Sequence, residues 1–142
     1  MNRVFCLDTS VLVSYLVPDE HEPQADTLVL EAVSGAARLV APAFAWSEIG
    51  SVLRKKIRMG LLTAEQAQGC YEDFCNLPID YINEESVRLR SWKLAEQYQL
   101  PTLYDAAFLA VVESESAQFW TIDRVLLDRL SPRPAYVHEL GE

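Results

Sequence analysis

Four acidic side chains stand at positions from which they could act together. Asp8 and Asp123 each directly follow a short apolar run typical of a buried strand. Glu48 and Asp105 each fall early in a segment with helical character. If the two apolar runs are parallel strands of one sheet, all four carboxylates lie at, or can reach, the edge where the strands end. Open α/β sheets bind their ligands at that edge.

An acidic cluster of this kind would favour a metal ion and phosphate chemistry. Carboxylates that are brought together repel one another, so their pKa values rise. Mg²⁺ or Mn²⁺ relieves that repulsion, because these hard cations prefer oxygen ligands and bind one or two carboxylates while retaining waters. Such an ion lowers the pKa of a bound water and stabilises charge on phosphate oxygens, which is the chemistry of phosphodiester hydrolysis. Asp105, within the almost wholly apolar PTLYDAAFLAVV, would then stay charged because of the ion.

Each acid also has a purely structural explanation. Asp8 and Asp123 could cap the helices that follow them, and Asp105 could complete a capping box begun by Thr102. Glu48 could simply favour the positive end of its own helix. Four unrelated caps would have no reason to converge on one edge of one sheet, so their convergence distinguishes the two explanations.

The positions of these acids depend on an alternation of strands and helices. Apolar runs predict strands at Arg3–Leu7, 37–41, Leu77–Ile82 and Ala117–Ile122, and a last, edge strand within 134–139. Helical patterns occupy 9–17, Glu22–Gly35, Pro42–Met59, a segment opened by Thr63, 84–99, the apolar segment after Thr102, and 124–130. Strands that alternate with helices predict parallel βαβ units. We therefore expect a single α/β domain over residues 1–142, with three α/β/α layers.

Several helix boundaries carry specific predictions. Pro42 is a favourable first helical residue for the helix after the second strand. Gln66 stands three residues after Thr63, which predicts a capping box. Asn83 and Thr102 are expected to cap the two helices that follow them.

Composition and charge restrict the class of protein. The chain has 142 residues, 50% of them hydrophobic, which is enough for one well-packed domain. No apolar run approaches the roughly 18 residues of a membrane span, and Asp8 interrupts the only segment resembling a signal peptide, so we expect a cytoplasmic protein. The net charge of −9 argues against a generic nucleic-acid binder but allows an enzyme whose acids hold metal ions. The three cysteines match neither a disulfide framework nor a zinc site and are expected to be buried, reduced thiols.

Four sequence blocks contain the acids: FCLDTSVLVSYL, PAFAWSEIGSVL, LYDAAFLAVVE and FWTIDRVL. Together they resemble the four motif blocks of PIN-domain proteins. Within that family they are most similar to the VapC-type toxins of bacterial and archaeal toxin–antitoxin pairs. The likeness extends from Arg3 to about Val137, in the family's order and at its usual spacings. One block alone would be a weak signal, whereas four in order are specific.

The resemblance implies a Rossmann-like α/β/α fold with a central, mostly parallel sheet. It also implies an endoribonuclease dependent on Mg²⁺ or Mn²⁺, in which a metal-activated water held in an acidic pocket hydrolyses RNA. Asp8 and Asp105 match the positions that most often hold the metal, and Asp123 and Glu48 match those that complete the pocket. We expect Asp8, Asp105 and Asp123 to be metal ligands and all four acids to be needed for catalysis. The family further implies a homodimer and an antitoxin partner.

Small hydroxyl side chains and grouped cations are the expected substrate contacts. Thr9, Ser10 and Thr121 match hydroxyl residues that sit beside the acidic pocket in the family. The run RKKIR holds four of the 12 basic residues. Helical spacing places Lys55 and Arg58 on the same flank as the glutamate of the acidic set, where they could bind phosphates. A solvated helix face is the alternative interpretation of these cations.

Aromatic side chains could stack on bases but more often fill cores or interfaces. Tyr104 is the residue to test for base contact, because it adjoins Asp105 in the sequence. The other aromatic residues considered are expected in cores or interfaces; they are Phe44, Trp46, Trp92 and Trp120.

Two other functions compete with a nuclease. A PIN fold could bind RNA or a protein without cleaving, with the acids serving as caps or holding a metal for stability. Phosphoryl-transfer enzymes that use an aspartate nucleophile also place it after a strand. They need a second aspartate two residues later, where this sequence has Ser10, so that function is disfavoured.

Overall fold

A parallel sheet of five strands forms the centre of this computed structural model, which describes residues 3–142. The strands are β1 (Arg3–Leu7), β2 (Ala37–Pro42), β3 (Ile79–Ile82), β4 (Gln118–Thr121) and β5 (Val137–Glu139). The helices are α1 (Thr9–Leu16), α2 (Pro23–Val33), α3 (Ala45–Arg58), α4 (Ala64–Cys75), α5 (Glu85–Tyr98), α6 (Tyr104–Glu115) and α7 (Arg124–Arg129). A 3₁₀ turn at Pro18–Glu20 follows α1. Among the described residues, no helix is both long enough and apolar enough to cross a membrane.

The strand order, β3-β2-β1-β4-β5, places the first strand at the centre. All four pairs of neighbouring strands are parallel. The chain extends from β1 towards one edge through β2 and β3, and then adds β4 and β5 on the other side. The order therefore reverses between β1 and β4. The connections leaving these two strands diverge there, and the crevice between them is where a ligand of an open α/β sheet binds.

Helices cover both faces of the sheet because neighbouring β1 side chains point in opposite directions. Phe5 and Leu7 belong to the core beneath α1, α2, α3 and α4. Cys6, between them, belongs to the core beneath α5, α6 and α7. The expected α/β/α architecture, with an edge strand at the end of the chain, is confirmed, and the sheet of the described residues is parallel throughout.

Three boundary predictions are wrong. Pro42 is the last residue of β2, where it pairs with Ile82, and α3 begins only at Ala45. A strand end tolerates proline because few ladder hydrogen bonds depend on that position. Asn83 accepts a hydrogen bond from the Arg88 guanidinium (2.9 Å) and caps no helix.

The third wrong boundary concerns α6. Leu103 occupies its N-cap position without a side-chain bond, so Thr102 lies one residue too early to cap the helix. The capping box of Thr63 and Gln66, in contrast, is confirmed: each side chain bonds the other residue's backbone N–H, at 3.0 and 2.9 Å.

Some side chains are more exposed than expected. Cys6 and Cys70 are buried thiols, but Cys75 is exposed. Trp46 and Trp92 are more than half exposed (53% and 60%), so neither fills the core of the described chain. Their apolar surface therefore remains available at the surface of the molecule.

Candidate active site

Asp8 lies directly after β1 as the N-cap of α1, and its side chain is buried. The Val11 backbone N–H donates to Asp8 Oδ1 (3.2 Å), so the capping role is real. Ser10 Oγ also donates to Oδ1, and Thr121 Oγ1 donates to Oδ2. Burial raises the pKa of Asp8 from 3.8 to about 6, against the opposing effect of these hydrogen bonds, and the nearby charge of Asp123 adds to the increase. The structure therefore holds a carboxylate whose ionisation at neutral pH is costly.

The two hydroxyl groups also join the turn after β1 to the turn after β4. Ser10 Oγ accepts from the backbone N–H of Ile122 (3.2 Å), and Thr121 Oγ1 accepts from that of Asp123 (3.0 Å). Because each oxygen accepts from a backbone N–H, its own proton is free to be donated to Asp8. This arrangement fixes Asp8 and Asp123 at the same edge of the sheet.

Asp123 is itself a helix cap. Its Oδ1 accepts from the backbone N–H of Leu126 (3.2 Å) at the start of α7. Its charge raises the pKa of both Asp8 and Asp105, so Asp123 is close enough to interact with each of them. Asp123 thus links the acid after β1 to the acid of α6.

Glu48 reaches the same edge from the first turn of α3. Its Oε1 accepts a hydrogen bond from Thr9 Oγ1, and Thr9 is the first residue of α1. The charge of Glu48 also raises the pKa of Asp105. The beginning of α3 is therefore attached to the connection that contains Asp8.

Asp105 lies in the first turn of α6 and is half-buried. The expected box with Thr102 does not form, and no side chain or helix-cap hydrogen bond is made to its carboxylate within residues 3–142. Burial, followed by the charges of Asp123 and Glu48, raises the pKa of Asp105, while Arg129 opposes that effect. Asp105 is thus a carboxylate without a local partner that faces two others.

The donor set suits a hard divalent cation, although it is not a closed cage. Within residues 3–142, no three histidine, cysteine, aspartate or glutamate side chains are placed so that they could jointly hold a metal ion. Mg²⁺ needs no such cage, because one or two carboxylates with retained waters are its usual protein ligands. All four side chains offer only oxygen, and the mutual repulsion of the acids is what a cation would relieve.

The expected substrate contacts fall into two groups. Thr9, Ser10 and Thr121 lie beside the acids as expected, but their hydroxyls donate to carboxylates. Lys55 and Arg58 are exposed on α3 and form no ion pair within the described part of the chain. Lys56, which lies between them, is instead paired with Glu20 (2.5 Å). Two cations of the RKKIR run therefore remain available on the flank of α3 that contains Glu48.

A cavity beside Glu48 was missed by the sequence analysis. Its volume is about 370 Å³, and it is lined by the start of α3 and the start of α6, through Phe44, Ser47, Glu48, Ser51 and Tyr104. Helical spacing had placed Ser51 on the flank of Glu48, but nothing in the sequence indicated that the start of α6 lines the same cavity. Only the folded chain, in which the Phe44 and Tyr104 rings are in contact, shows that these residues belong to one site.

The family follows from comparison with known proteins. The model of the PIN domain matches residues 5–130. The chain belongs to the PIN domain family. Ribonuclease VapC3 of Pyrobaculum aerophilum is 29% identical over 125 residues, which cover 87% of this chain and 92% of that protein. The resemblance to VapC-type proteins that the four sequence blocks indicated is thereby confirmed.

Solved structures of other proteins extend the likeness to three dimensions. The crystal structure of PAE2754 from Pyrobaculum aerophilum superimposes with a TM-score of 0.70 at 18% identity, covering 99% of this chain and 92% of that one. A toxin–antitoxin complex from Klebsiella pneumoniae gives a TM-score of 0.65 at 18% identity, covering 99% of both chains. At such identities these structures show that the PIN fold is shared.

Proposed function

We propose that this PIN domain, over residues 1–142, is a divalent-metal-dependent endoribonuclease and the toxin of a toxin–antitoxin pair. One observation supports the proposal: Asp105 has no local partner within residues 3–142, and its carboxylate interacts electrostatically with Asp123 and Glu48, as that of Asp8 does with Asp123. Caps alone would not require Asp105 to face Asp123 and Glu48. A cation shared among them would compensate the repulsion.

The four acids are assigned to the metal-binding pocket. Asp8, Asp105 and Asp123 would hold Mg²⁺ or Mn²⁺, with retained waters between the ion and those carboxylates that do not reach it directly, and Glu48 would complete the acidic pocket. When bound, the ion supplies an activated water and stabilises charge on the phosphate.

Hydroxyl groups and cations complete the site. Ser10 and Thr121 position the Asp8 carboxylate. Thr9 positions the Glu48 carboxylate. We assign the three hydroxyl residues to positioning because their protons are donated to carboxylates.

Lys55 and Arg58 bind RNA phosphates on the exposed flank of α3.

The proposed substrate and protein partner are inferred from similar proteins. One relative is named a ribonuclease, which supports RNA as the substrate, and a structure with the same fold is a toxin–antitoxin complex, which supports an antitoxin partner. A homodimer and a cytoplasmic site of action complete the proposal by analogy with the family.

Cleavage of structured RNAs by the purified protein, with Mn²⁺ and with EDTA, tests the proposal. We expect cleavage with Mn²⁺, none with EDTA, and a loss of at least about 100-fold in Asp8→Asn and in Asp105→Asn, because a ligating carboxylate affects several kcal/mol of transition-state stabilisation. Asp73→Asn, an exposed aspartate of α4, is the matched control and should cleave normally. Full activity in Asp105→Asn would contradict the proposal.

A non-cleaving RNA-binding module is the second candidate. The observation in its favour is that Asp8 and Asp123 do cap α1 and α7, which accounts for two acids without catalysis. Under this alternative the protein binds the same RNAs and leaves them intact with Mn²⁺.

A further inference from the structure

The cavity beside Glu48 combines an aromatic wall with polar groups. Tyr104 and Phe44 provide the wall, and Ser47, Glu48 and Ser51 line it from α3. Its volume, about 370 Å³, falls within the range of small-ligand pockets. Because Glu48 belongs both to the cavity and to the acidic set, a group bound in the cavity lies directly beside the acids.

Tyr104 offers a stacking surface that is already held in place. Its side chain is 59% exposed, yet its ring meets Phe44 edge-to-face at 5.3 Å and 79°. Phe44 in turn packs against Phe108 at 6.0 Å, and Phe108 is buried in the core. Because more than half of its side chain is exposed, the Tyr104 ring retains accessible surface on which a planar group can stack. An anchored ring loses little conformational freedom when a planar ligand stacks on it.

Two hydroxyl groups on α3 are free to read a polar edge. Ser47 and Ser51 are one helical turn apart, and both are exposed. In residues 3–142 neither hydroxyl is bonded to another side chain, unlike those of Thr9, Ser10 and Thr121. Each can donate one hydrogen bond and accept two.

The next turn of α3 supplies positive charge. Lys55 lies four residues after Ser51 and is exposed, without an ion pair inside the described region. A chain that places a base beside Tyr104 would place a neighbouring phosphate near this cation. The aromatic face, the hydroxyls and the cation match a single nucleotide of an unpaired strand. A base within a duplex has no free face to offer.

We propose that this cavity is a nucleobase subsite, in which one base of single-stranded RNA stacks on Tyr104 and presents its polar edge to Ser47 and Ser51. The inference rests on the RNA substrate proposed above and deepens it. The subsite makes the cleavage position depend on the base bound there. Tyr104 is thus a specificity-determining residue of the nuclease.

Binding measured without cleavage tests the subsite. The parent protein is Asp8→Asn, and its affinity is measured by fluorescence anisotropy for short single-stranded oligonucleotides of uridine, adenosine or cytidine, and for an abasic oligonucleotide of the same length. We expect at least one base-bearing strand to bind about 5- to 100-fold more tightly than the abasic strand, as stacking of one base would give. Adding Tyr104→Ala should remove most of that preference, and adding Tyr104→Phe should retain it.

Two controls separate stacking from other effects. Tyr81, an exposed tyrosine of β3 outside the cavity, provides the matched variant Tyr81→Ala, which should keep the full preference. Lys55→Glu should weaken all strands alike, including the abasic one, because it removes a phosphate contact. Ser47→Ala combined with Ser51→Ala should reduce the differences among the three bases, and an unchanged ranking would overturn the role of the serines. Thermal melting confirms that each variant is folded.

The outcomes distinguish the subsite from the nuclease activity. No preference for bases in the parent, or an unchanged preference in Tyr104→Ala, would overturn the subsite even if the wild-type protein cleaves RNA. A preference that depends on Tyr104 supports the subsite even if no RNA is cleaved, and only the proposed catalytic activity then fails.

Discussion

At the scale of single residues, the ionised Asp8 carboxylate destabilises the folded state, and its hydrogen bonds do not fully compensate for this. Its carboxylate is buried, and the hydrogen bonds from Ser10 and Thr121 do not outweigh the loss of water. A buried carboxylate with a raised pKa destabilises the folded state whenever it is ionised. Such a cost is typical of functional sites, where an ion or a substrate offsets it.

We predict that Asp8→Asn stabilises the metal-free protein at neutral pH. The folded pKa of Asp8, about 6, exceeds its ordinary value of 3.8, so between these pH values the folded state binds more protons than the unfolded state. Stability therefore falls as pH rises through that window, and above it the full cost, about 3 kcal/mol, applies. Below about pH 3 the acid is mostly protonated in both states, and the cost is nearly absent.

Urea denaturation in EDTA, at pH 7 and near pH 4, measures this effect. The free energy of unfolding of Asp8→Asn should exceed that of the wild type by about 2 kcal/mol more at pH 7 than near pH 4, where the unfolded carboxyl is only partly ionised. Any poorer fit of the amide affects both pH values equally and cancels in that difference. Asp73→Asn should show no such pH dependence, and a pH-independent difference for Asp8→Asn would refute the interpretation of its burial.

At the scale of the elements, α3 connects the acidic set to the surface proposed to bind RNA. Ile49 and Leu53 are buried and determine how the helix is rotated on the sheet. That rotation brings Glu48 to the edge where β1 ends and leaves Lys55 and Arg58 exposed towards the carboxyl end of the helix. One helix thus presents a carboxylate and cations along one surface.

We predict that Lys55→Glu combined with Arg58→Glu raises KM for RNA and changes kcat little, because phosphate contacts contribute to binding before the chemical step. The slope of log affinity against log salt should fall by about 1 for each cation that no longer neutralises a phosphate. Cleavage assays over a salt series measure both quantities.

The control for that prediction is Arg88→Glu combined with Lys93→Glu, which makes the same charge change on α5. It should alter KM far less. Equal effects of the two double variants would mean that RNA responds to the net charge of the protein, and α3 would then be an ordinary solvated helix.

At the scale of the whole molecule, the site exists because distant parts of the chain meet. The reversal of strand order between β1 and β4 opens the crevice, and residues at the starts of α3 and α6 line the cavity that contains Glu48. A chain with a net charge of −9 gathers further negative charge there. Binding a cation should therefore stabilise the fold as a whole, since the ligand set is absent from the unfolded chain.

We predict that Mg²⁺ or Mn²⁺ raises the melting temperature of the wild-type protein by several degrees relative to EDTA. A ligand at about 100 times its Kd adds about 2.7 kcal/mol to stability. The increase should be much smaller in Asp8→Asn and in Asp105→Asn, and undiminished in Asp73→Asn. Equal increases in all four proteins would show that the ion binds elsewhere.

Local patterns in the sequence account for much of the fold. The alternation of apolar runs with helical periodicity was sufficient for the strands, the edge strand and the three layers. The capping box of Thr63 and Gln66 involves neighbours along the chain and was also predictable. The caps expected at Asn83 and Thr102 failed, because the first residue of a helix depends on how the connection packs.

Which acids follow strands or begin helices could be predicted from local sequence, because these positions depend on residues a few places away. The hydrogen bond from Thr121 to Asp8, the interaction of Asp105 with Asp123 and the place of Tyr104 in a cavity beside α3 could not be predicted in this way. These contacts join residues far apart in the chain, and the order of strands in the sheet brings them together. No local pattern specifies that order, since it follows from how all the helices and strands bury their apolar faces at once.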